Sequence, residues 1–139
     1  MGSPYLNHFL NDDPYRQDEY DYCTVDWGKR TRQLFAQNVE TPKFVYLSFN
    51  APHERVEAPK YLKNKMKELH PEMSDTRIEF LAAVRAMDMA IRQTVEDLQK
   101  LDRETLVFFQ SDNGASILDK IVKDGPRGCN YPYRHVNEI

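Results

Sequence analysis

An α/β fold, with a parallel or mixed sheet flanked by helices, is what this 139-residue sequence predicts. Two short apolar runs, 44–49 and 105–110, have the composition of strands buried on both faces. Between them lies a long stripe of helical period, 75–101. Strand, long helix and strand in that order form a right-handed parallel crossover, the unit from which α/β sheets are assembled.

Along the chain, residues 1–24 show no period and hold the turn signal Asn11-Asp12-Asp13-Pro14, so they read as an irregular segment. Trp27, Thr31, Leu34 and Phe35 recur at helical spacing, with Lys29, Arg30, Arg32 and Gln33 opposite them. This predicts a helix over 25–39 with Thr24 at its N-cap, ended by Pro42. The first apolar run, Phe44 to Phe49, lies between Pro42 and Asn50-Ala51-Pro52. A loop from His53 to Pro59 comes next, then a short basic helix in which Leu62, Met66 and Leu69 share a side and Lys60, Lys63, Lys65 and Lys67 form a solvated face.

The longest predicted helix carries Phe80, Val84, Met87, Ile91, Val95 and Leu98 at steps of three and four, a core-facing stripe. Ser74 stands where an N-cap is needed, and Asp75 complements the positive end of the helix. The second apolar run, Thr105 to Gln110, breaks at Ser111-Asp112-Asn113-Gly114. The last twenty residues mix Gly, Pro, Tyr and Arg and read as loop.

Composition narrows the class. With 40% hydrophobic and 29% charged residues, the chain can bury a core and is not of disordered type. The first 28 residues hold six of the 22 acids against one of the 19 bases, which leaves the rest at +2. Neither part is basic enough for a nucleic-acid surface. No run approaches the ~18 apolar residues of a membrane span, and Met1 to Tyr5 do not have the pattern of a signal peptide. Cys23 and Cys129 have neither metal-site spacing nor the density of a disulfide scaffold; free thiols are expected, with a single bridge as the alternative.

Chemistry concentrates after the two apolar runs. Asp112 offers a carboxylate and Asn113 an amide oxygen, hard donors suited to Ca²⁺ or Mg²⁺, at the strand end where open α/β sheets hold their ligands. Asp-Asn-Gly is also an ordinary turn sequence. His53 comes just after the first run; if the two strands are parallel, both loops open on one edge and His53 approaches Asp112. A histidine there can bind an anion or pass a proton near neutral pH.

The order of these pieces resembles the arylsulfatase family, in particular its arylsulfatase B-like branch. The run before His53, Pro59-Lys60-Tyr61-Leu62, Ala86-Met87-Asp88, Ser111-Asp112-Asn113-Gly114 and Asn130-Tyr131-Pro132-Tyr133-Arg134 stand in the family's sequence and spacing over about 25–137. The resemblance implies one partial catalytic domain over 1–139, an irregular acidic segment 1–24 and a sulfatase-like core segment 25–139. It implies part of an alkaline-phosphatase-like (sulfatase) fold and hydrolysis of sulfate esters on a small molecule or glycan. In the family a formylglycine made from Cys-x-Pro-x-Arg attacks sulfur beside a divalent cation, usually Ca²⁺. By similarity Asp112 and Asn113 are two ligands of that cation, and His53 contacts the ester and can protonate the leaving oxygen. Related enzymes reach lysosomes or the secretory pathway.

Three departures set limits. Cys23 is followed by Thr-Val-Asp, and Pro132 and Arg134 stand one position too late after Cys129, so the nucleophile motif is absent. The paired aspartates of the family's metal strand are missing too, Asp12-Asp13 lying in a turn-like setting with no apolar run before it. The lysine that comes after Asn-Trp/Tyr-Pro-x-Arg falls on the neutral Asn137, and Arg55 stands where proline is frequent. An incomplete or degenerate sulfatase segment, inactive on its own, is therefore expected. The alternatives are a metal-dependent phosphoester hydrolase of the same superfamily, or a binding protein that keeps the scaffold without the chemistry.

Overall fold

The structure, a computed structural model, describes residues 9–14, 22–37, 40–53, 56–101 and 103–114. Its first feature is a minimal antiparallel hairpin, β1 (Phe9–Leu10) with β2 (Asp13–Pro14), in which Leu10 pairs with Asp13 and Phe9 with Pro14. Asn11 turns the chain with φ at 57°, a left-handed conformation that asparagine tolerates better than most residues. The turn signal at 11–14 thus closes a short ladder within a segment expected to be irregular throughout.

Among the described residues three helices come after it: α1 (Cys23–Ala36), α2 (Lys60–Leu69) and α3 (Asp75–Gln99). Ser74 caps α3 as expected, its hydroxyl accepting from the Arg77 N–H at 3.3 Å. Thr24 does not cap α1. That helix begins one residue before it, with Tyr22 at the cap position, and Thr24 is fully buried.

Helices α2 and α3 form an antiparallel pair, since Lys67 meets Asp75 at 3.0 Å and Lys63 meets Glu79 at 3.1 Å. The core between them is Leu62, Ala82 and Ala86, with Tyr22, Ala58 and Met66 packed around it. Helix α1 runs parallel to α3. Tyr22 lies by Ala82 and Ala86, Gly28 by Ala90, and Arg32 bonds Asp97 at 3.1 Å. A Cβ on Gly28 would stand 3.1 Å from that of Ala90, so the two backbones approach as closely as they do because residue 28 has no side chain.

This close approach corrects the predicted core faces. The buried positions are Thr24, Gly28 and Thr31 on α1, and Ile78, Ala82, Ala83, Ala86, Ala90, Thr94 and Leu98 on α3. The larger stripe of α3, Phe80, Val84, Met87, Ile91 and Val95, is only half-buried, and Leu34 of α1 is exposed. Small residues win the helix contacts because dispersion falls steeply with separation, and only short side chains let two backbones close up.

The predicted parallel strands are a second correction. Residues 42–50 and 104–111, the first and second arms, are non-helical and join no ladder; among the described residues the strands are β1 and β2 alone. Nor are the arms buried on both faces: Phe44 is 92% exposed, Tyr46 84% and Phe108 86%. A strand of this composition becomes a buried strand only when neighbours pair its backbone and layers cover both faces. Among the described residues nothing does so. The first arm still shows a period of two, with Lys43, Val45, Leu47 and Phe49 half-buried and Phe44, Tyr46 and Ser48 exposed.

Both arms start at the same end of the helical body. Lys43 donates from Nζ to the Phe35 carbonyl at 3.4 Å and to the Gln37 carbonyl, closing the C-terminal end of α1. The first arm then runs back along α3, because the Ala58 N–H, a few residues beyond the arm, donates to Glu79 Oε1 near the start of that helix.

Candidate functional site

His53 stands on a turn at the far end of the first arm. Its N–H donates to the Asn50 carbonyl at 2.8 Å, and the Ala51–Pro52 peptide within the turn is cis. Ala51 is buried, whereas His53 is exposed. The turn therefore has a buried base and an imidazole open to solvent.

Glu79 holds the stretch between this turn and α2. Its Oε1 accepts from the Ala58 N–H at 3.2 Å and from Lys63 Nζ at 3.1 Å, which ties the 56–59 segment to both α2 and α3. Sequence reasoning did not single this residue out. A glutamate in the second turn of a helix looks like ordinary surface charge until the loop it serves is in place.

The second arm ends in its own turn. Ser111 Oγ donates to the Asn113 carbonyl at 2.6 Å, bending the backbone so that Asp112 and Asn113 occupy the bend. Both side chains are exposed. Among the described residues neither forms a hydrogen bond or ion pair through its side chain, and none joins them to His53. The donor types suit a hard divalent cation, but their number does not complete a site. Among the described residues no group of three or more His, Cys, Asp or Glu side chains could hold a metal ion. Asn130 to Arg134, Asn137 and Cys129 lie outside the described residues, and Cys23 is a half-buried free thiol.

Tyr22 is a titratable group whose surroundings shift its pKa. Burial pushes the Tyr22 hydroxyl above its ordinary pKa; Thr24 opposes this, and the charges of Cys23, Glu57 and Glu79 add to it. Thr24 comes near enough to favour the phenolate, yet its own Oγ1 is sealed in the core without a well-formed hydrogen bond. That hydroxyl is a local cost of the α1–α3 contact.

Helices α1 and α3 lie parallel, and each is followed by an apolar arm whose far turn bears polar side chains. Comparison with known proteins identifies the family. The family model for sulfatases matches residues 3–136, nearly the whole chain, and the chain belongs to the sulfatase family. Over 97 residues it is 30% identical to the "Uncharacterized sulfatase YdeN" of Escherichia coli (strain K12), a match covering 68% of this chain and 16% of that protein. The chain thus spans about a sixth of the length of the curated relative it matches. No solved structure matches it. The family fold is alkaline-phosphatase-like, and its members act on sulfate esters and generally bind a metal ion. No helix among the described residues is long and apolar enough to cross a membrane.

Proposed function

We propose that this chain supplies one part of a sulfatase catalytic site, with His53 facing the ester and Asp112 and Asn113 giving two of the oxygens around a divalent cation. The reading rests on the sulfatase match over 3–136, a span that takes in both turns. An exposed imidazole suits general acid catalysis, because it can deliver a proton to the departing alcohol oxygen. The Asp112 carboxylate and Asn113 amide oxygen match calcium in hardness, but Ca²⁺ takes 6–8 oxygens. Two donors are a fraction of that shell, so calcium binding by the chain alone is weak. With no Cys-x-Pro-x-Arg motif the chain alone lacks a nucleophile, and sulfate-ester hydrolysis belongs to the complete domain. The substrate class is a sulfated small molecule or glycan.

The test grafts this chain in place of the matching stretch of the E. coli relative. The chimera is assayed on an aryl sulfate, with the corresponding aryl phosphate beside it, at millimolar Ca²⁺. Sulfate turnover is expected, falling by about a hundredfold or more in His53→Ala and in Asp112→Ala. Turnover indifferent to both substitutions would remove the assigned roles, and preference for the phosphate ester would move the reading to phosphoester hydrolysis. The isolated chain should show the uncatalysed rate. Turnover by it that both substitutions abolish would reveal a nucleophile within these 139 residues.

A further inference from the structure

We infer that Glu79 is a positioning residue: from α3 its carboxylate supplies the N-terminal cap that α2 lacks, and so holds the foot of the loop that carries His53. The importance of that foothold for catalysis rests on the function proposed above; the cap does not.

The two antiparallel helices begin differently. Helix α3 has its own cap in Ser74, whose hydroxyl accepts from the Arg77 N–H, and an acid, Asp75, in its first turn. Helix α2 has neither: Pro59 at its cap position makes no side-chain hydrogen bond, and no acid stands in its first turn. Lys60 and Lys63 stand there instead, at the end where the helix dipole is positive. A helix of ten residues with such a start is marginal unless its neighbours support it.

Glu79 makes good that deficit from outside. Its Oε1 accepts from the Ala58 N–H at 3.2 Å and meets Lys63 Nζ at 3.1 Å. Pro59 has no N–H, so Ala58 carries the nearest backbone donor before α2. One oxygen thus binds the residue before the cap and offsets a lysine of the first turn. An ion pair as exposed as this one adds little by itself; its effect is to keep the carboxylate over the start of α2. Ala58 also packs on the cluster of Leu62, Ala82 and Ala86, so a hydrogen bond and apolar contact fix the same residue.

The loop bearing His53 therefore has two feet. Ala51 is buried two residues before the histidine, and Ala58 is held five residues after it. Without the Glu79 carboxylate Ala58 keeps only its apolar contact, and the next firm point is Leu62, 2% exposed and four residues further on. A longer span between held ends has more conformations open to it, and His53 lies within that span.

The test is nuclear magnetic resonance on the full chain, comparing the unaltered protein with Glu79→Ala and Glu79→Gln. The glutamine keeps a side-chain oxygen that can accept from Ala58. In Glu79→Ala the Ala58 amide, deprived of its acceptor, should exchange roughly tenfold faster. The backbone order parameter of His53 should fall from about 0.8 to about 0.6 or lower. Glu79→Gln should restore most of both. The amides of Ala86 and Ala90 on α3 should stay within about twofold of their original rates. Unchanged Ala58 exchange in Glu79→Ala overturns the proposal. So does faster exchange at Ala58 with the His53 order parameter unmoved, which would disconnect the foot from the histidine. Equal acceleration at Ala86 and Ala90, or a Glu79→Gln protein no better than Glu79→Ala, also overturns it, by making the role one of general folding or of charge alone. Neither metal binding nor turnover is read, so failure of the sulfatase-site reading would leave this result intact.

Discussion

The helical body and the two arms use opposite kinds of residue. In the body the buried positions are mostly small, with Gly28, Ala82, Ala83, Ala86 and Ala90 at the contacts and Leu62 as the one large side chain of the central cluster. The arms carry the large side chains, Phe44, Tyr46, Leu106, Phe108 and Phe109, and leave them exposed. Hydrophobicity alone thus does not decide burial. Two helices bury short side chains against each other by closing their separation, whereas an aromatic arm needs a covering layer and a paired backbone.

That contrast breaks first on equal truncations. Leu62→Ala, at a position 2% exposed, should cost about 3 kcal/mol in denaturant unfolding followed by helical signal, and Phe108→Ala less than about 0.5 kcal/mol. Comparable costs would mean that the second arm is packed in solution. The next largest effect is at the α1–α3 contact. Gly28→Leu forces a side chain into a 3.1 Å gap and should destabilise by about 2 kcal/mol, measured in the same way. A smaller effect of opposite sign is expected from Thr24→Val, which removes a sealed hydroxyl at constant shape. A gain of about 1 kcal/mol is the expected outcome, and a loss would show that Thr24 Oγ1 has a partner in solution.

The last and smallest effect depends on pH. Burial raises the Tyr22 pKa in the folded chain, so the folded state holds the phenolic proton more tightly than the unfolded one. Its contribution is fully present below the ordinary pKa of 10.0 and is lost as pH rises through the folded value. Melting temperature should therefore fall less steeply above that pH in Tyr22→Phe than in the unaltered chain. Parallel curves would place the phenol in open solvent.

Helix existence was legible in the sequence because periodicity and capping act locally. Ser74 and the spacing from Phe80 to Leu98 locate α3 almost to the residue, and the short basic helix falls where Leu62 and Met66 predict it. Which face each helix buries was not legible, since the choice of Ala90 over Ile91 is made by Gly28 on another element. The arms depart from the expected strands for a related reason. Phe44 to Phe49 has the composition of a buried strand, but pairing depends on neighbours that composition does not contain. For the candidate site, motif order singles out the Asp112 and His53 turns, whereas Glu79 acts on a backbone amide distant in sequence and leaves no local pattern.

The α2–α3 pair also bears on the timing of synthesis. Its ion pairs, Lys67 with Asp75 and Lys63 with Glu79, join positions eight and sixteen apart, so this unit can close almost as soon as Gln99 leaves the ribosome. Contacts of such short range form quickly, while the contact of Arg103 with the Thr41 carbonyl, 62 positions apart, waits on slower loop closure. During that interval Phe44, Tyr46 and, later, Phe108 face the cytosolic or luminal milieu on a chain whose helices are already set. The nascent protein should therefore engage chaperones through its arms, and misassociate there when they are scarce.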